Sequence, residues 1–203
     1  MSSDGPTLED LARLVGDMCN GAVVAYHFAA TDKGRVRALE RVLDFSYDSL
    51  VENRHLNQSH SEDALTVNVV EQLKGFLINA SHDTQNGGHC DILVRGKGRF
   101  LWVAEAKIHN GYSWLEKGFR QLCTYLTGSE NQDHGEIIIY LRQQKANVVL
   151  HDWMRRLTGI RPDLSVDDQV ENSLWFRSSH SSEGTGRNLF IRHRIIPLFW
   201  HSS

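Results

Sequence analysis

The most constraining stretch of this chain is Phe100-Leu-Trp-Val-Ala-Glu-Ala-Lys-Ile108. It is short, dense in bulky apolar residues and bounded by Gly98 and Asn110-Gly111, the pattern of a buried strand. Asp91-Ile-Leu-Val-Arg95 precedes it across Gly96-Lys97-Gly98. Those glycines supply turn chemistry, so the two runs form a β-hairpin. The turn places Asp91 opposite Ala104 or Glu105, about 5 Å away across the pair. Glu105 and Lys107 are two apart and share one strand face. Two carboxylates and an ammonium thus converge inside a run whose other residues, Val103, Ala104, Ala106 and Ile108, are apolar. Buried charges are expensive unless they are paired or hold a metal. Carboxylate oxygens suit Mg²⁺ or Mn²⁺. Such an ion would neutralise the pair, polarise a phosphate and acidify a water, with Lys107 placed to orient that water or share its proton.

The hairpin sits in an ordered series. Ser61 caps a helix to about Asn79 with an apolar stripe of Leu65, Val69, Leu73, Phe76 and Leu77. A turn-rich stretch, His82–Gly88, leads into the hairpin. A helix follows from Ser113 to Leu126, stopped by Gly128, and then an apolar strand, Glu136–Arg142. Residues 145–157 read as a helix. A short segment Ser173–Arg177, a soft loop Ser178–Gly186 and an apolar strand Leu189–Trp200 close the chain. Helix, hairpin, helix, strand is an α/β layer. Upstream, Thr7–Cys19 reads as a helix, Ala22–Phe28 as a short strand, Asp32–Leu43 as a helix and 46–61 as a polar linker. Residues 1–60 are therefore a mainly helical appendage to a domain at 61–203, which carries a C-terminal strand extension.

On a helical wheel Glu62 falls within the buried stripe, while Glu71 points the other way. Glu62 is either a charge favoured by the helix N-terminus or a third acidic ligand. Gln121 and Tyr125 are four apart on the second helix, above Trp114 and beside the core stripe Leu115, Phe119, Leu122 and Leu126. They stand either as a solvated Gln and a rim Tyr or as hydrogen-bonding groups at the site.

With 203 residues, the length suits one domain with an appendage. No apolar run is long enough to span a bilayer, and no secretion signal opens the chain, so no membrane partner is expected and the cytoplasm is the expected compartment. Three cysteines without a C-x-x-C pair argue against a disulfide framework or a zinc knuckle. A net charge of −3 excludes a large basic surface but not a local basic cleft. The eleven histidines show no metal-binding spacing. Gly96-Lys97-Gly98 lacks the helix and Gly-Lys-Ser/Thr of a phosphate-binding loop. Arg95, Lys97, Arg99, His109 and the pair Arg155-Arg156 are candidate nucleic-acid contacts, set against a solvated rim. Trp175, Phe190, Phe199 and Trp200 could stack bases, but at alternating spacing they read first as core.

Asp91, thirteen residues and then Glu105-Ala106-Lys107 resembles the signature of the PD-(D/E)XK nuclease superfamily. The Glu62 helix before it and Gln121-x-x-x-Tyr125 after it resemble the extended motif, over about residues 60–145. Gly88-His-Cys-Asp-Ile-Leu-Val and Val-Ala-Glu-Ala-Lys-Ile-His-Asn-Gly look like restriction-endonuclease-like domains of bacterial and phage-defence proteins. Cys90 stands where the family name has proline. The resemblance implies an α-β-β-β-α-β core, a mixed central sheet flanked by helices. It implies that Asp91, Glu105 and the Ala106 carbonyl hold Mg²⁺ (or Mn²⁺), that Glu62 helps directly or through water, and that Lys107 serves the attacking water. Gln121 and Tyr125 would shape the site near the scissile phosphate. The expected activity is hydrolysis of nucleic acid, DNA foremost, in restriction or defence, with a homodimer or partner subunit supplying further charge. A nuclease-fold binding module that does not cut is the competing class. A nuclease switched on by a ligand at the appendage is a third.

Overall fold

The computed structural model describes residues 19–85, 88–168 and 172–201. The helix expected at 7–19 lies outside them except for Cys19. The described elements are α1 (Cys19–Phe28), α2 (Asp32–Glu52), α3 (Arg54–Asn57), α4 (Glu62–Gly75), β1 (Asn79–Gln85), β2 (His89–Arg95), β3 (Leu101–Ile108), α5 (Tyr112–Tyr125), β4 (His134–Leu141), α6 (Ala146–Ile160), β5 (Ser165–Asp168), β6 (Trp175–Ser181) and β7 (Asn188–Pro197). The protein is α/β. Seven strands form one mixed sheet in the order β1-β2-β3-β4-β7-β6-β5. The β3–β4 and β4–β7 pairs are parallel and the other four antiparallel. The chain divides into two compact units, one up to Asp48 and one from Ser49 onward, and the whole sheet belongs to the second. Among the described residues no helix is long and apolar enough to cross a membrane.

The hairpin forms as the glycines dictate. Gly98 takes φ 71°, and Gly96 N–H donates to the Phe100 carbonyl at 3.1 Å. Ile92 pairs with Ala104 and Arg95 with Leu101. β3 is buried along all but its last residue because helices cover both of its faces. On one face, α5 brings Gly118 so near that an added Cβ would lie 3.0 Å from Lys107 Cγ. On the other, Thr66 of α4 lies 3.3 Å, hydroxyl to hydroxyl, from Tyr140 of β4.

Four expectations are corrected. Ala22–Phe28 is helix, not strand: Ala22 and Tyr26, four apart, are its buried residues. Residues 46–61 are not a linker, because Ser46, Tyr47 and Leu50 continue the buried stripe of α2, and Asn57 Nδ2 donates to the Leu50 carbonyl at 2.8 Å. α4 ends at Gly75, and Leu77 turns left-handed at φ 60° and points outward, 84% exposed, while Val70 and Ile78 take the core places. Much of the turn-rich stretch and of the Ser178–Gly186 loop is strand. β1 is a polar sheet edge, and Ser178 and His180 of β6 alternate inward with Phe176.

The core beneath α5 and α6 contains an uncharged histidine. Trp153 Nε1 donates to His193 Nδ1 at 3.1 Å, which leaves Nε2–H to face Ser178 Oγ at 2.8 Å. Phe176 stacks on the ring at 4.4 Å. Burial, reinforced by His180, pushes the His193 pKa down to about 3. An unfolded histidine takes its proton near 6.5, so between these values the unfolded chain binds the extra proton. Stability therefore falls as pH drops through that window. Urea unfolding should show the wild type losing about 1.4 kcal/mol more than His193→Gln between about pH 7.5 and 5.5.

Candidate active site

The site lies where β2 leaves β3. Ladder pairing ends at Ile92 with Ala104, and pairing with β1 is interrupted at Asp83, which takes φ 47° across from Asp91. Strand N–H groups beyond that point need other acceptors. Asp91 Oδ2 accepts from Ala106 N–H at 2.7 Å, and Glu62 Oε2 accepts from Ile108 N–H at 2.6 Å. Residues 106 and 108 direct these donors to the same strand edge, so carboxylates from β2 and α4 close an edge that β2 has vacated. Ser61 sets up Glu62 by capping α4, its Oγ accepting from Ala64 N–H at 3.1 Å.

Lys107 gathers the charges. Its Nζ lies 2.7 Å from Glu105 Oε1, 3.5 Å from Glu62 Oε1 and 3.7 Å from Asp91 Oδ2, and it donates to the Ala106 carbonyl at 2.9 Å. Glu71, by contrast, is exposed and paired with Lys74. Burial, then the neighbouring Asp91 charge, pushes the Glu105 pKa up to about 7 against the opposing pull of Lys107. Burial also raises Asp91, partly offset by the Ala106 N–H and Lys107. Burial works to lower Lys107, but Glu105, Asp91 and Glu62 outweigh it and hold the ammonium charged more firmly than usual.

The oxygen groups here are those a hard divalent cation takes. Glu105 Oε2 is buried without a hydrogen-bond partner, and the Ala106 carbonyl lies beyond the last β2–β3 pair, so both fit such an ion beside Asp91 and Glu62. Among the described residues no three His, Cys, Asp or Glu side chains form a ready-made metal cage. The Lys107 ammonium stands among the carboxylates instead.

Tyr125 donates from its hydroxyl to the His89 carbonyl at 2.8 Å, and half-buried Gln121 hydrogen-bonds to it. Burial followed by the Glu105 and Asp91 charges pushes the Tyr125 pKa up to about 12, so it stays a neutral donor. Its ring presents an edge to the backbone before β2, where a Cβ on Gly88 would stand 2.5 Å from Tyr125 Cε1. The structure does not bring the hairpin cations to this place. Arg95 stands at the far end of β2, about 13 Å from Asp91 at the usual strand rise, and Lys97 and Arg99 lie further out. His109 follows β3 and meets Tyr112 edge-on at 5.4 Å; burial lowers its pKa.

Sequence reasoning missed Gly118, Gly88 and His82. A glycine inside a helical pattern was the available sign for Gly118, since such a residue is tolerated for close packing. His82 is paired with Ile92 on β1, and its charge acts on Asp91. A separate cavity of about 440 Å³, lined by Phe119, Cys123, Arg161 and His180, contains none of the clustered carboxylates.

No protein-family model, no curated protein and no solved structure matches the chain.

The cluster makes a stability prediction. Lys107→Met leaves Glu105 buried without its hydrogen bond or counter-charge, and at about pH 8 should destabilise the protein by about 2–3 kcal/mol. Adding Glu105→Gln should recover most of that loss. A double-mutant cycle by urea unfolding reads the coupling.

Proposed function

We propose that the protein is a metal-dependent nuclease that hydrolyses phosphodiester bonds of nucleic acid, DNA foremost. One observation carries the reading: carboxylates from α4, β2 and β3 converge on the Lys107 ammonium at a vacated strand edge. Three carboxylates exceed the charge of one ammonium, and the surplus is what a divalent cation binds best. Asp91, Glu105 and the Ala106 carbonyl would hold the ion, with Glu62 beside them. When bound there, such an ion would supply positive charge for the phosphate and acidify a water. Lys107 would orient that water, and the ion's positive charge, added to burial, would lower the Lys107 pKa so that it could share the water's proton. Tyr125 and Gln121 keep neutral hydrogen-bonding groups beside the phosphate. The PD-(D/E)XK resemblance is supported by the element order α4-β1-β2-β3-α5-β4 and by the position of the motif residues at the β2–β3 opening.

The competing reading is a module of the same fold that binds without cutting. It draws on the ammonium already standing where an ion would enter. Divalent-ion binding separates the two.

Calorimetric Mn²⁺ titration and nicking of supercoiled plasmid, run in parallel on variants, test the proposal. Asp91→Asn should weaken ion binding and cleavage together. Lys107→Met should keep ion binding or tighten it slightly, while cleavage falls by a factor on the order of 10²–10⁴. Cleavage by Lys107→Met at the wild-type rate would remove Lys107 from the mechanism, and a wild type that binds no Mn²⁺ would leave the non-cutting module.

A further inference from the structure

Trp114, Lys117 and Gln121 follow one another on a single face of α5 at spacings of three and four. Trp114 is 39% exposed, although most large apolar side chains of the sheet domain are buried. Its ring centre lies 5.7 Å from Lys107 Nζ and 5.0 Å from Lys117 Nζ. Lys107 Nζ is itself within 4 Å of all three carboxylates. The exposed indole is therefore part of the rim of the cluster.

A phosphate held at the cluster brings the base of an adjoining nucleotide within reach of that indole. In a duplex both faces of a base are stacked and its edge is paired. An unpaired base has a free face, and stacking on an aromatic side chain stabilises it whatever its identity. Charge points the same way. Duplex binding draws most of its strength from many Lys and Arg contacts to phosphate, and this chain carries a net charge of −3. The hairpin cations lie away from the cluster, and Arg120 is engaged by Glu116. Stacking supplies affinity that a broad basic surface would otherwise have to provide, and Lys117 adds one cation beside the ring for the next phosphate.

We propose that Trp114 is a stacking platform for an unpaired base and that single-stranded nucleic acid is the substrate class of this site. The inference rests on the nuclease reading and goes beyond it, because that reading is silent on strandedness.

The test is fluorescence anisotropy of a labelled oligonucleotide of about 12 nucleotides, as single-stranded DNA, single-stranded RNA and duplex DNA. Ca²⁺ replaces Mg²⁺, and cleavage of the same three substrates is followed in Mg²⁺. Wild type should bind and cut single strands in preference to duplex, and the DNA and RNA arms identify the sugar accepted. Trp114→Ala and Trp114→Leu should weaken single-strand binding roughly 5- to 100-fold, while Trp114→Phe keeps most of it and duplex binding barely moves. The leucine variant retains apolar bulk against Lys107 and lacks a π-face, so it separates stacking from packing. Wild-type-like single-strand binding by the alanine and leucine variants, or tighter binding of duplex than of single strands, would overturn the inference. If the wild type also cuts duplex, the nuclease reading survives that result. Wild-type protein that neither binds nor cuts any of the three substrates would overturn both.

Discussion

The parting of β2 from β3 after Ile92 is the constraint on which the site depends. A strand that loses its neighbour inside a protein exposes N–H groups that must find acceptors. Here the acceptors are carboxylates: Asp91 takes the Ala106 N–H and Glu62 takes the Ile108 N–H. Charge-assisted bonds of this kind are strong, but they concentrate negative charge beside the buried Glu105. Lys107 offsets part of it, and Glu105 answers the remainder by holding its proton up to about pH 7. Local backbone chemistry, burial and repulsion thus produce one strained electrostatic cluster from a single break in a ladder.

The rest of the sheet packs around that break and leaves Asp91 and Glu62 partly exposed. β3 is covered by α4 on one face and α5 on the other, and Gly118 allows α5 to come down onto the stems of Lys107 and Glu105. Across the parallel strands, Glu136 and Arg192 form a doubly hydrogen-bonded pair, 2.9 and 3.1 Å, at register partners of β4 and β7. Both residues are buried, so a one-residue slip would leave each charge uncompensated; such pairs serve registry better than net stability. Trp153, His193 and Ser178 perform a similar service beneath α6, with every polar atom of the imidazole satisfied.

Two helices give the cluster its two sides. α4 delivers the Glu62 carboxylate from its capped first turn, and the neighbouring Asp63 charge acts on Asp91. α5 contributes Trp114 at the rim, Gly118 at the closest approach and Tyr125 against the backbone before β2. Residues of α5 therefore border the cluster, whose charged groups come from β2, β3 and the first turn of α4.

Much of the site was legible from spacing. Hairpin turn chemistry put Asp91 opposite Ala104 or Glu105, period two put Glu105 and Lys107 on one face, and a helical wheel separated Glu62 from Glu71. These are short-range rules in which the backbone geometry leaves little choice. Where polar segments are concerned, local pattern misled. β1 and β6 look like loops because Asn79–Gln85 is an edge strand and because Ser178 and His180 are buried by partners far along the chain. The segment at 46–61 looks like a linker until Tyr47 and Leu50 are seen to extend a buried stripe. The sequence by itself determined the hairpin, the helix faces and the identity of the clustered charges, because those follow from chain geometry within a few residues. Tertiary structure alone decided where β2 leaves β3, that Asp91 and Glu62 take the released N–H groups, and that the hairpin cations lie away from the cluster. Each of these depends on what packs against the strand, and packing is a property of distant residues meeting in space.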